Sequence, residues 1–171
     1  MIEIYPNVFV GDQHDFDGVK MPMGTEIDDW YVLHCAKEPY HRQFVGYTGR
    51  GCPKDSPEYL FARRGNRMAL NMVDAKSPEF FSYEMVKAEL DFLEEGYNAG
   101  KKLLIHCNRG ESRSPSLAML FVCKRAMPAI ASGTDGQFTF KEAENLIRQY
   151  YPSYAPADGI RGHLMQYWDE Y

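Results

Sequence analysis

The chain has 171 residues and a mass of 19.7 kDa, a length that at roughly 150 residues per domain accommodates about one domain with its own core. Hydrophobic residues at 44% and charged residues at 25%, with only 14 Gly and 10 Pro, exclude a disordered, collagen-like or coiled-coil chain. Nineteen basic residues less twenty-four acidic ones give a net charge of -5, which weighs against a general nucleic-acid binder but leaves room for a local anion site. Cys35, Cys52, Cys107 and Cys123 form no CxxC pair and no disulfide framework, so reduced thiols in a cytoplasmic protein are expected. The opening residues lack a basic segment leading into an apolar run, and no apolar stretch approaches the ~20 residues a membrane helix needs, so neither secretion nor membrane association is expected.

Ile2–Tyr5 and residues 8–10 are predicted strands, and residues 30–35 a third, with Asp17-Gly18 and Met23-Gly24 marking a loop between them. Residues 41–66, rich in Gly, Pro and Arg, read as an elaborated connection holding short elements at most. A strand is predicted over 67–73, ending at Asp74. Ser77, Pro78 and Glu79 supply a capping hydroxyl, a first-turn proline and an acid for a helix over 79–96, with Val86, Leu90, Leu93 and Tyr97 on its apolar face. Lys102–His106 is the next strand, 115–127 a helix ended by Pro128, and 128–137 a loop. Thr139 and Glu142 form a capping box for a helix to about Tyr150, with Ala143, Leu146, Ile147 and Tyr150 as its buried stripe. A short helix over 159–168 closes the chain. This order predicts an α/β fold, a mostly parallel twisted sheet flanked by helices, in one domain spanning 1–171.

The chemistry concentrates in LLIHCNRGESRSPSLAMLF, residues 103–121, where a strand runs into Cys107, five residues intervene, and Arg113 opens a helix. Gly110 permits the backbone of residues 108–112 to turn its N–H groups inward as an anion nest, and the helix start adds unpaired donors. In such a cradle Cys107 is favoured as thiolate, a strong nucleophile at neutral pH, and the planar fork of Arg113 suits two non-bridging phosphoryl oxygens. Asn108, Arg109, Gly110, Glu111 and Ser112 are therefore the expected substrate-binding residues, and Ser112 or Ser114 a hydroxyl able to reach the sulfur.

This segment resembles the cysteine-dependent protein tyrosine phosphatase superfamily, specifically its compact dual-specificity domains, whose HCxxGxxRS signature is met by His106, Cys107, Gly110, Arg113 and Ser114. The likeness extends along the chain through IYPNVFVGD, VLHCA and FTFKEAENLIRQYYPSYAP. It implies Cys107 as the residue that becomes a phosphocysteine, Arg113 as phosphate clamp, Ser114 as the hydroxyl assisting breakdown of the intermediate, and His106 as a neighbour tuning the cysteine. The family places its general acid on a loop upstream, and Asp74, 33 residues before Cys107, is the matching position. The implied activity is hydrolysis of phosphotyrosine, and of phosphoserine or phosphothreonine as an open extension, on a phosphorylated protein partner, with no metal and no cofactor. Glu111 departs from the pattern and is expected to point away from the pocket, pairing with Arg109 or with an arginine of the basic segment.

Other readings compete. The same cradle serves phosphoinositide or RNA 5'-phosphate hydrolysis in the resembled superfamily. A sulfur-transfer domain would leave the acid unexplained, and a non-catalytic phosphate-binding module would not need Cys107, Arg113 and Asp74 together. His34, Cys35, His41 and Cys52 have no paired short spacing to favour a zinc site. Cys35, Cys52 or Cys123 pairing reversibly with Cys107 stays open, as does a pocket wall from Tyr40, Phe44, Tyr47 or Tyr59. Residues 42–67 hold six bases against two acids, a net of +4, and residues 1–33 seven acids against Lys20, a net of -6. The plain reading of both is a solvated surface; the alternative is a basic rim that attracts an acidic partner.

Overall fold

The structure is a computed structural model that describes residues 1–20, 29–127 and 138–171. Six strands form one sheet in the order β1-β2-β6-β3-β5-β4. These are β1 (Ile2–Tyr5), β2 (Val8–Gly11), β3 (Trp30–His34), β4 (Phe61–Arg64), β5 (Arg67–Leu70) and β6 (Lys102–His106). The four inner strands run parallel, while β1 and β4 close the two edges antiparallel. The inner strands are short apolar runs covered on both faces, as parallel strands must be. Leu33, Leu103 and Ile105 face a large core, and Val32, Leu104 and Ala69 face a smaller one.

The large core is packed by α3 (Tyr83–Asn98), α4 (Arg113–Phe121), α5 (Phe140–Tyr150) and α6 (Asp158–Tyr167). Every residue of α4 is buried, which explains its near-continuous apolar sequence. The small core is closed by Phe16 of α1 (Gln13–Lys20) and by Tyr40, which lies on a wide turn at Lys37–His41 leading into α2 (Arg42–Val45). The α/β class and the mostly parallel sheet flanked by helices are as expected from the sequence.

Several boundaries differ. Asp17 and Gly18 lie inside α1, because the Asp12 carboxylate accepts from the His14 and Asp15 N–H groups at 2.8 and 3.0 Å and caps a helix where a loop was expected. Met23-Gly24 and 128–137 lie outside the described residues, as does Pro128. The strand expected over 67–73 pairs only to Leu70; beyond it the Met72 carbonyl accepts from Lys37 N–H at 2.8 Å and not from a sheet neighbour. Ser77-Pro78-Glu79 starts only a short turn, Pro78–Phe80, and α3 begins after Ser82, whose hydroxyl accepts from Met85 N–H at 3.3 Å. The 41–66 connection contains α2 and also β4, joined to β5 through Gly65 at φ 60°. The Thr139–Glu142 capping box is present, but Tyr150 is 55% exposed, so the buried stripe of α5 is Ala143 and Ile147 with Leu146 only partly covered.

Candidate active site

The parallel register carries Gly11 of β2 and His34 of β3 level with His106 of β6, so three strand ends converge where Cys107 begins its loop. Cys107 is 1% exposed, and its Sγ accepts from the Gly110 N–H at 3.2 Å and from the Ser114 hydroxyl at 3.3 Å. Gly110 adopts φ 72°, and a Cβ there would stand 3.1 Å from the Gly11 carbonyl oxygen, so both backbone angle and closeness require glycine. Burial alone would raise the Cys107 thiol; the Ser114 hydroxyl and backbone N–H, the Arg113 charge and the Arg109 N–H outweigh it, and the thiol is held below its ordinary value.

Arg113 lies at the first position of α4 and is anchored from two sides. One terminal nitrogen donates to the Met72 carbonyl at 3.2 Å and the other to Asn108 Oδ1 at 3.0 Å, while Asn108 Nδ2 donates to the Glu38 carbonyl at 2.9 Å. Its Nε is buried without a hydrogen-bond partner, an unspent donor beside the cysteine loop. Glu111 turns away and pairs with Arg109 at 2.9 Å, as the sequence suggested, and the Arg109 side chain is 78% exposed.

Asp74 reaches the same loop. Its Oδ1 accepts from the Ser112 hydroxyl at 2.7 Å and lies 4.0 Å from Arg113 Nε, with its side chain 43% exposed. Ser112 Oγ in turn accepts from the Ala157 N–H at 3.0 Å, so the start of α6 steadies the acid's partner. Gly159 lets α6 approach closely: a Cβ there would be 2.2 Å from the Ala75 carbonyl oxygen, one residue past Asp74. Of the two serines left open by the sequence, Ser114 takes the sulfur and Ser112 the carboxylate.

Behind the loop lies a chain of donors that sequence reasoning did not find. Arg67 donates to His34 Nε2 at 3.1 and 3.0 Å, and His34 Nδ1 is 2.5 Å from His106 Nε2. An arginine only donates, so His34 carries its proton on Nδ1 and gives it to His106 Nε2, which leaves the His106 proton on Nδ1. Burial depresses His106 to about 3 against an opposing pull from the Cys107 backbone, and burial also holds His34 well below its ordinary value. Both imidazoles are thus neutral, and His106 sits directly behind Cys107. The available signal was His34 itself, which ends a strand one place before Cys35 just as His106 ends one before Cys107.

Among known proteins, no family model matches the chain. Tyrosine-protein phosphatase vhp-1 of Caenorhabditis elegans is 27% identical over 164 residues, covering 96% of this chain and 20% of that protein. Dual specificity protein phosphatase 5 of Homo sapiens is 35% identical over 81 residues, covering 47% of this chain and 18% of that protein. The crystal structure of human DUSP28 superposes with a TM-score of 0.63 at 12% identity, covering 99% of this chain and 93% of that one. The chain has the dual-specificity phosphatase fold. It spans about a fifth of the length of the curated relatives it matches.

Within this dual-specificity phosphatase fold, the structure brings together Asp74, His106, Cys107, Asn108, Gly110, Ser112, Arg113 and Ser114, and turns Arg109 and Glu111 outward as an ion pair. All four cysteines are free and buried, and burial raises the Cys35 and Cys123 thiols, to about 12 for Cys123. The zinc alternative is not assembled. His34 is bound to Arg67 and His106, while His41 lies near Tyr47 and the Glu58 carbonyl, and no metal-binding cluster occurs among the described residues. Half of the six bases of the basic segment are paired: Arg42 with Glu38, Arg63 with Glu95 and Arg64 with Glu58. Tyr40 is 6% exposed and stacked on His34, so it serves the small core.

Proposed function

We propose that this chain is a metal-independent phosphoprotein phosphatase, acting through a phosphocysteine on Cys107, and that residues 1–171 form its one catalytic domain. The observation that carries this reading is the sulfur itself: buried, hydrogen-bonded by Gly110 and Ser114, and next to an arginine whose Nε makes no hydrogen bond. Cys107 attacks phosphorus in line with the leaving oxygen, and Asp74 gives that oxygen its proton. The loop N–H groups and Arg113 hold the non-bridging oxygens as charge redistributes. In the second step Asp74 takes a proton from water, the water oxygen bonds to phosphorus, and the P–S bond breaks. Ser114 donates to the departing sulfur. The neutral His106 behind the loop adds no positive charge that would over-stabilise the thiolate.

Phosphotyrosine is the preferred substrate. The nucleophile is 1% exposed whereas the Asp74 side chain is 43% exposed, so the reacting phosphate must descend past the acid, which a phosphate at the end of a phenyl ring does more readily than one on a short serine stem. Phosphoserine and phosphothreonine are slower substrates of the same site. No described helix is long and apolar enough to cross a membrane, and four free thiols support a cytoplasmic location. The test is a panel of phosphotyrosyl and phosphoseryl peptides, phosphoinositides and triphosphate-ended RNA assayed with chelator present. Fastest turnover of phosphotyrosyl peptide is expected; preference for lipid or RNA would overturn the substrate assignment.

A further inference from the structure

On the small-core face, α1, the 37–41 turn, α2 and the start of β5 enclose a recess of about 390 Å³ lined by Gln13, Phe16, Asp17, Pro39, Tyr40, Gln43, Phe44 and Arg67. That volume falls within the range of small-molecule sites. Its charge is unusual for this molecule. Arg42, Arg63, Arg64, Arg109, Arg113, Arg125, Arg148 and Arg161 each have a carboxylate within 4.0 Å, and Arg50, which has none, is exposed to solvent. Arg67 is half-buried, yet it has no carboxylate at that distance among the described residues, and its Nε and one terminal nitrogen are spent on a neutral histidine. Burying a cation without a counter-charge is costly unless something supplies one. The surroundings are aromatic: the rings of Phe16 and Phe44 lie 5.0 and 5.2 Å from the guanidinium carbon, and Tyr40 forms a further wall. Gln13 and Gln43 offer amide donors at the opening. Asp17 is the one acid in the lining and opposes an anion.

We propose that this recess is a second ligand site, distinct from the cysteine loop, which takes a small aromatic acid. The anionic group docks on the remaining terminal nitrogen of Arg67, and the ring packs against the half-buried Phe44 in the wall of the recess. A carboxylate and a phosphoryl group share this chemistry, and the planar guanidinium suits either. The site adjoins the cysteine loop by two routes, Arg67 to His34 to His106, and Asn108, which donates to the carbonyl of Glu38, next to the lining residue Pro39. The proposal depends on no catalytic step and stands or falls apart from the phosphatase reading.

The experiment is titration of the full chain with benzoate and with phenylphosphonate, followed by amide and side-chain NMR shifts. Benzoate is expected to shift Phe16, Gln43 and Phe44 saturably, and phenylphosphonate to shift those residues and the 107–113 loop as two separable events. Arg113→Ala should remove only the loop event, and Arg67→Gln only the recess event. Because Arg67→Gln also removes a support of His34, two exposed rim variants provide independent readings. Gln43→Glu should weaken benzoate binding and Asp17→Asn strengthen it, each by roughly fivefold for one unit of charge at this range in a partly screened setting. Benzoate shifts that vanish with Arg113→Ala, rim variants that leave affinity unchanged, or no saturable recess shift at millimolar ligand would each overturn the proposal. Recess shifts with phenylphosphonate alone would restrict the ligand to phosphoryl acids.

Discussion

Replacing Ser114 by alanine isolates one of the contacts that lower the Cys107 thiol. The Ser114 hydroxyl stands 3.3 Å from the sulfur and 3.2 Å from the Gly11 carbonyl oxygen, and it is completely buried, so no water takes its place at once. A hydrogen bond to a charged group contributes about 1.5 to 3 kcal/mol. The Gly110 N–H, the Ser114 N–H and the Arg113 charge all remain, which places the expected loss at the lower end, and about 1.4 kcal/mol corresponds to a factor of ten. At pH low enough that Cys107 is mostly protonated, its thiolate fraction should therefore fall about tenfold. The assay is iodoacetamide alkylation across pH, read by mass spectrometry on the peptide containing Cys107 so that Cys35, Cys52 and Cys123 do not contribute. The rate profile of Ser114→Ala should move to higher pH, and turnover should additionally slow at the step that releases the sulfur. An unchanged alkylation profile would show that the Ser114 hydroxyl is directed at Gly11 and does not stabilise the thiolate.

Arg113→Lys should lower kcat/KM by about a hundredfold or more, because a point charge can neither span Met72 and Asn108 nor present Nε to phosphate; steady-state kinetics within tenfold of wild type would remove Arg113 as clamp. Asp74→Asn should slow aryl phosphates with poor leaving groups by roughly 10² to 10⁴ while sparing those whose leaving groups need little protonation, and a leaving-group series showing equal losses would assign the acid elsewhere. Glu89 tests the core: it is fully buried, neither carboxyl oxygen has a partner, and burial, aided by Asp91 and opposed by Arg125, raises it well above the ordinary carboxylate range. A raised carboxyl contributes stability that is complete below its unfolded value and is lost as pH rises through its folded value. Thermal melts of Glu89→Gln should therefore match wild type in acid and exceed it at neutral and alkaline pH; parallel curves would contradict the assignment.

The cysteine loop was legible because its chemistry is local: a buried strand, a glycine at positive φ and a helix start all lie within residues 103–121. Asp74 was reachable by distance along the chain, but its partner Ser112 and the support from Ala157 are tertiary contacts with no sequence signal. The same holds for Arg67, His34 and His106, which meet only because β5, β3 and β6 run parallel side by side. The misread helix starts share one cause. Ser77-Pro78 and Ser82 both offer caps five residues apart, and burial of Met85 and Val86 selects the second. Asp17-Gly18 looked like a turn because glycine weakens a helix, yet Asp12 caps α1 and Phe16 anchors it in the small core.

A cysteine nucleophile leaves its sulfur covalently bonded to phosphorus between the two steps. Rapid acid quenching of the wild-type chain during turnover of a 32P-labelled phosphotyrosyl peptide, followed by peptide mapping, looks for that bond. The label should be found on the peptide containing Cys107 as an acid-stable adduct, be absent after prior alkylation of Cys107, and be absent in a folded Cys107→Ser chain that still binds phosphate. Turnover retained by Cys107→Ser, or label recovered on another residue, would contradict it.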